Sequence, residues 1–188
     1  MEVNIVGAGV GGLTLALMLD RAAIPVRVFE AAAELRPLGA GINILPHASA
    51  ELCALGLEDA LTRVGVETRE AVFYNRFGQL IYREPLGRGA GYASPQFSLH
   101  RGDLHRVLLD ACVRRVGADR IHLGWQCARF RQNDHGVTLH FVDAATGDAR
   151  ASQRADVAVG CDGLHSIIRK QLHPQEGEIG RASCRERV

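Results

Sequence analysis

Three glycines near the start of the chain have the spacing that brings a backbone up against phosphate. Gly7, Gly9 and Gly12 stand in the order G-x-G-x-x-G within Gly7-Ala8-Gly9-Val10-Gly11-Gly12. In such a run the first glycine permits a tight turn, the second leaves room for a pyrophosphate, and the third lets a helix pack close to a strand. Free N–H groups at the helix N-terminus, with its positive dipole end, favour the anion. Glu30, 18 residues after Gly12, is placed to accept hydrogen bonds from ribose hydroxyls, and its charge disfavours a 2′-phosphate. The chemistry is that of holding an ADP-ribose moiety, as in NAD or FAD, and the glycines alone do not choose between them.

The flanking residues supply the elements such a site needs. Val3-Asn4-Ile5-Val6 is a short apolar run suited to a buried parallel strand, and Leu13 to Asp20 is built of good helix formers. Pro25 precedes Val26-Arg27-Val28-Phe29, a second strand that ends at Glu30. Strand, glycines, helix, strand and acidic residue fall in order within thirty residues, which predicts a Rossmann-like α/β domain. Leu104, Val107, Leu108, Ala111 and Cys112 recur at helical spacing and predict an amphipathic helix after Asp103. Between these regions the chain reads β. Val72-Phe73-Tyr74 and Gln79-Leu80-Ile81-Tyr82 flank Asn75-Arg76-Phe77-Gly78, and Trp125–Arg131 and Val137–Val142 flank Asn133-Asp134-His135-Gly136, two hairpin signals. Tyr74, Tyr82, Tyr92 and Phe97 are candidates to line an aromatic pocket, or are plain strand core.

Composition excludes several classes. With 188 residues, 47% hydrophobic, the chain can bury a substantial core, which is incompatible with intrinsic disorder. Lys and Arg number 22 against 21 Asp and Glu, so nothing draws it electrostatically to nucleic acid. No apolar run approaches the roughly 20 residues of a membrane span, and no basic flank precedes the first apolar stretch as in a signal peptide. Cys53, Cys112, Cys127, Cys161 and Cys184 are widely spaced, without a C-x-x-C pair. That pattern fits a reducing compartment, here the cytoplasm, rather than disulfides. His100 and His105, and His135 and His140, are each five apart, a spacing that does not stack two ligands on one helical face, so no metal site is expected.

Three later segments carry a resemblance. They are Arg36-Pro37-Leu38-Gly39-Ala40-Gly41-Ile42-Asn43-Ile44, with a helical stretch ending at Leu55-Gly56-Leu57; Phe97-Ser98-Leu99-His100-Arg101-Gly102-Asp103-Leu104; and Ala155-Asp156-Val157-Ala158-Val159-Gly160-Cys161-Asp162-Gly163, followed by Leu164-His165-Ser166-Ile167-Ile168-Arg169. With the N-terminal fingerprint, this order resembles the class A flavoprotein aromatic hydroxylases, which have the para-hydroxybenzoate hydroxylase-like fold. Within them it is nearest the phenazine-1-carboxylate monooxygenase and salicylate hydroxylase branch. The resemblance runs from Glu2 to about Gly177 and chooses FAD over NAD.

The resemblance implies roles residue by residue. Gly7, Gly9 and Gly12 would hold the FAD pyrophosphate and Glu30 the adenosine ribose. Arg101 matches the arginine that reaches the phosphate and ribityl region. Asp162 and Gly163 match a D-G motif associated with both FAD and the nicotinamide cofactor, and Gly39 and Gly41 match a loop passing close to the flavin. Cys127 stands where the family usually has Val and the backbone meets adenine, and Cys161 where it commonly has Ala. The implied fold is α/β: a Rossmann-like FAD/NAD(P)-binding domain with a β-meander and part of an inserted substrate-domain sheet, truncated. Residues 1–70 and 98–177 would form the FAD-binding domain and residues 71–97 a fragment of the substrate sheet.

The implied reaction uses NADH or NADPH to reduce FAD, after which O₂ adds as a flavin C4a-hydroperoxide and an electron-rich aromatic substrate takes the distal oxygen. The flavin carries that chemistry while the protein positions and shields it, so no residue is assigned as catalytic. A NAD-dependent dehydrogenase and a non-catalytic nucleotide-binding module are the alternatives that share the N-terminal fingerprint. Within the flavin fold, an epoxidase or a reductase acting on isoprenoids is a further one. Oligomeric state is not legible.

Residues 178–188, Glu178-Ile179-Gly180-Arg181-Ala182-Ser183-Cys184-Arg185-Glu186-Arg187-Val188, have no apolar periodicity and resemble nothing in the family. Codons for them can be chosen to match a widely used short-read sequencing adapter whose next in-frame triplet is a stop. The expectation is an adapter-derived tail on a coding sequence interrupted near Gly177. The family's G-D motif does not follow Arg169; Gly147-Asp148 lies upstream in a turn. A chain lacking that part is expected to be poorly soluble, to bind FAD weakly and not to turn over.

Overall fold

The computed structural model describes residues 1–35 and 39–176. Arg36-Pro37-Leu38 and the tail 178–188 therefore lie outside the described residues. The described chain divides into two compact units. One takes Met1–Leu35 and the chain from Cys112 onward, the other the residues from Gly39 to Ala111.

The first unit is built on a four-stranded parallel sheet. β1 (Val3–Val6) is flanked by β2 (Val26–Glu30) and, on its other side, by a strand late in the chain. Every residue of β1 is buried, as a continuous apolar run in a parallel sheet requires. The helix α1 (Val10–Arg21) connects β1 to β2 and turns Gly12, Leu13, Ala16 and Leu17 inward. It begins three residues before the run of good helix formers, because Gly11 and Gly12 sit in its first turn.

The second unit carries the next elements: β3 (Gly41–Ile44), α2 (Pro46–Ala54), α3 (Glu58–Val64), β4 (Gly65–Thr68), β5 (Glu70–Tyr74), β6 (Leu80–Pro85) and β7 (Gln96–His100). Antiparallel pairing gives a sheet in the order β3-β7-β4, with Ile44, Leu52, Leu61, Phe97 and Leu99 buried. β5 and β6 pair separately, the hairpin expected around Asn75-Gly78. The long helix α4 (Arg101–Arg115) buries Leu104, Val107, Leu108, Ala111 and Cys112, the stripe read from the sequence. The division between the units falls within it.

The first unit resumes at the end of α4, where the Cys112 thiol donates to the carbonyl of Leu13 at 3.3 Å and Arg115 pairs with Asp20 at 2.9 Å. β8 (Ile121–Leu123) then pairs with β2. The second hairpin is β9 (Trp125–Asn133) and β10 (Gly136–Asp143), extended by β11 (Gln153–Ala155) into a three-stranded meander. The apolar run around Ala155–Gly160 is not one strand. β11 ends at Ala155, and after Asp156 the chain enters β12 (Val157–Gly160), which joins the parallel sheet beside β1. Asp156 fixes that passage: its Oδ2 accepts from the Glu2 amide at 2.6 Å. The short helix α5 (Ile167–Leu172) follows. Val6, Phe29, Cys127, Phe130, Val137, Leu139, Phe141 and Ala155 form the core shared by the parallel sheet and the meander.

Candidate cofactor site

The parallel sheet has the order β12-β1-β2-β8, so chain order reverses between β1 and β12. A ligand crevice in an open α/β sheet opens at the carboxyl ends of the strands at such a point. The structure has a cleft of about 350 Å³ there, lined among others by Gly7, Gly9, Glu30, Cys127, Asp162 and Gly163. Six of the ten residues singled out in the sequence thus meet in one place.

The glycines divide by what a side chain would meet. Gly7 has φ +105°, and a β-carbon on it would lie 2.3 Å from the carbonyl oxygen of Cys161. Gly12, behind the cleft, would drive a β-carbon to 2.0 Å from the carbonyl oxygen of Gly7. Both glycines are therefore demanded by the protein's own backbone. Gly9 differs: as the N-cap of α1 its backbone is extended (φ −69°, ψ 179°), and nothing lies within 4 Å of a β-carbon there. The space in front of it is open cleft. No side chain caps α1, and no acidic residue stands in its first turn, so the positive end of the helix is left for an anion.

Glu30 ends β2 and binds the glycine turn itself. Its Oε2 accepts from the Ala8 amide at 2.7 Å and its Oε1 from the Ala32 amide at 2.8 Å. A carboxylate offers about four acceptor positions, so two remain for ribose hydroxyls. Asp162 sits just beyond β12. Its Oδ2 accepts from the amides of Ile167 at 2.7 Å and Ile168 at 3.4 Å, while its Oδ1 is buried without a hydrogen-bond partner among the described residues. An orphaned carboxylate oxygen in a cleft is an acceptor waiting for a donor. Gly163 follows with φ +72°.

Two thiols line the cleft. Burial, and then the charge of Asp162, push Cys127 up to about 11 and also raise Cys161. Both are protonated at neutral pH and act as small apolar wall rather than as nucleophiles.

Gly39, Gly41 and Arg101 belong to the other unit. Gly39 packs its backbone along the Arg101 side chain, with a β-carbon placed 3.0 Å from that of Arg101, and the Arg101 amide donates to Ala40 at 3.1 Å. Gly41 pairs with His100 at the start of β3. The loop glycines and the arginine are thus one local arrangement. Of the four aromatic candidates, Tyr74, Tyr82 and Tyr92 are more than half exposed, whereas Phe97 is core.

Sequence reasoning missed Trp125 and His165 as lining of the cleft. The available signal was Trp125 itself, the single tryptophan of the chain, at the start of a strand.

Comparison with known proteins decides the family. The profile of the FAD binding domain family matches residues 1–184. The chain belongs to this family. Its FAD binding domain sequence is 42% identical over 179 residues to phenazine 1,6-dicarboxylic acid hydroxylase PhzS of Lysobacter antibioticus, covering 95% of this chain and 44% of that protein. It is 38% identical over 176 residues to 3-amino-4-hydroxybenzoate 2-monooxygenase of Streptomyces cremeus, covering 92% and 42%. Among solved structures, HpxO of Klebsiella pneumoniae complexed with FAD and uric acid superposes with a TM-score of 0.77 at 27% identity, over 91% of this chain and 41% of that one. The p-nitrophenol 4-monooxygenase PnpA of Pseudomonas putida DLL-E4 gives 0.76 at 25%, over 96% and 44%. The FAD binding domain chain thus spans less than half the length of each of these four proteins. Among its described residues no helix is long and apolar enough to cross a membrane.

Proposed function

We propose that this chain is the FAD-binding portion of a monooxygenase that uses NADH or NADPH and O₂ to hydroxylate a small aromatic substrate in the cytoplasm. The observation that carries the reading is the cleft at the switch point of the sheet, in a chain of the FAD binding domain family. It joins an uncapped helix end, an open approach at Gly9, spare acceptors on Glu30 and the unpartnered oxygen of Asp162. These residues fit the ADP half of FAD. The names of the two relatives, one a hydroxylase of a phenazine acid and one of an aminohydroxybenzoate, support an aromatic substrate.

In this reading the N-terminus of α1 and the Gly9 backbone receive the pyrophosphate, with Gly7 and Gly12 setting the turn that exposes them. Glu30 accepts from the ribose and, by its charge, turns away a 2′-phosphate. Asp162 accepts a hydrogen bond from the cofactor through Oδ1, Gly163 continues that wall, and the Cys127 backbone borders the base. Arg101, with Gly39 and Gly41 against it, serves the phosphate and ribityl region. Bound FAD supplies the electron transfer from NAD(P)H and the activation of O₂. Residues 1–70 and 98–177 form the FAD-binding part, and residues 71–97 begin the substrate sheet.

The test is to express the gene as it stands in genomic DNA. A yellow protein whose NAD(P)H oxidation is stimulated by one member of a panel of phenazine and hydroxybenzoate acids is expected. A colourless protein, or one whose NAD(P)H oxidation no aromatic acid stimulates, would contradict the reading.

A further inference from the structure

We propose that Trp125 is the wall of the cleft that takes the adenine base, and so sets its preference for a purine nucleotide. The proposal rests on the nucleotide reading above. The strand order sets the sequence of stations at this end of the sheet. The glycine turn follows β1, Glu30 ends β2, and Leu123, which pairs with Glu30, ends β8 two residues before Trp125; all but Leu123 line the cleft. A flat apolar surface is what a base needs at that third station, and Trp125 is half-buried there.

The indole is held from several sides. Its ring centroid lies 5.6 Å from Phe29, 5.5 Å from His122 and 5.5 Å from Phe141, the last edge-on at 72°. The guanidinium of Arg150 sits 5.0 Å from the ring and is itself ion-paired with Asp143. A side chain so braced loses little freedom when a ligand arrives, and its cation-facing ring is well suited to a base. Burial lowers the affinity of His122 for protons, and the nearby Arg27 charge adds to this, so the imidazole beside Trp125 is uncharged at physiological pH.

Because the chain has one tryptophan, its emission reports this position alone. The experiment titrates the 188-residue chain with ADP, ADP-ribose and UDP, following emission under tryptophan-selective excitation and heat by calorimetry. Expected are saturable quenching by ADP and ADP-ribose with the calorimetric midpoint, and weaker binding of UDP. Trp125→Ala should weaken ADP roughly tenfold and leave UDP little changed, while Trp125→Phe restores most of the ADP affinity. Calorimetric ADP binding with flat emission, and unchanged affinity in Trp125→Ala, would remove Trp125 from the base site and leave the nucleotide reading standing. No heat and no emission change with any nucleotide would overturn both. Should Trp125→Ala lose its folded circular dichroism, the emission titration and the Trp125→Phe affinity decide.

Discussion

The β1–α1 turn and the β5–β6 hairpin are two stretches of similar apolar content put to opposite use. Around the turn the protein is tightly packed behind an open front: β1 is wholly buried, Gly7 and Gly12 have backbone where a methyl group would be, and the approach at Gly9 faces the cleft. On the hairpin, Phe73, Tyr74, Phe77, Leu80, Ile81 and Tyr82 are all more than half exposed. The lining of the cleft therefore lies within one packing unit, whereas the hairpin's apolar faces are uncovered among the described residues. Burial concentrates in the first region, to which we also assign cofactor recognition, and the hairpin should contribute little to either.

Mutations measure the contrast. The largest effect should come from Gly12→Ala, whose β-carbon must displace the Gly7 carbonyl. A loss of at least about 3 kcal/mol is expected in denaturant unfolding, enough to abolish the fold of a marginally stable chain. Next is Asn4, fully buried in β1 with neither amide atom hydrogen-bonded among the described residues. Asn4→Val should stabilise by about 1–2 kcal/mol, because an orphaned buried amide is removed at small change of volume.

A smaller effect is tied to pH. His122 is less readily protonated in the folded chain than its ordinary value of 6.5, so the unfolded chain takes up the proton first on acidification. Stability should be full above about pH 6.5 and fall as pH drops below it, and His122→Gln should flatten that part of the profile. On the hairpin, Ile81→Thr should change stability by less than about 0.5 kcal/mol and improve solubility. A large loss there would show that the exposed face is packed, and the contrast would fail.

Legibility in the sequence follows the range of the interaction. The turn was readable because its determinants, a buried strand, three glycines and an acid, lie within thirty residues and act locally. The start of α1 was hidden, since Gly11 and Gly12 are poor helix formers and only the packing of Gly12 against the Gly7 backbone shows in the structure. Gly41–Ile44 carries motif residues but no local strand signal, because what makes it a strand is pairing with β7 more than fifty residues away. The break at Asp156 was invisible for a similar reason. Alternation of residue types does not say that Ala155 belongs to the meander and Val157 to the parallel sheet. Trp125 reads in the sequence as a strand residue; only the packed structure brings it into the cleft that Glu30 also lines.

The central claim is that the open approach at Gly9 is for a cofactor phosphate. The most direct measurement is the FAD affinity of the chain and of Gly9→Val, by calorimetry, with circular dichroism on both. The account predicts an unchanged fold and at least tenfold weaker FAD binding, because valine fits the extended backbone at Gly9 but fills the space in front of it. A folded Gly9→Val chain that binds FAD as tightly as the parent would contradict it.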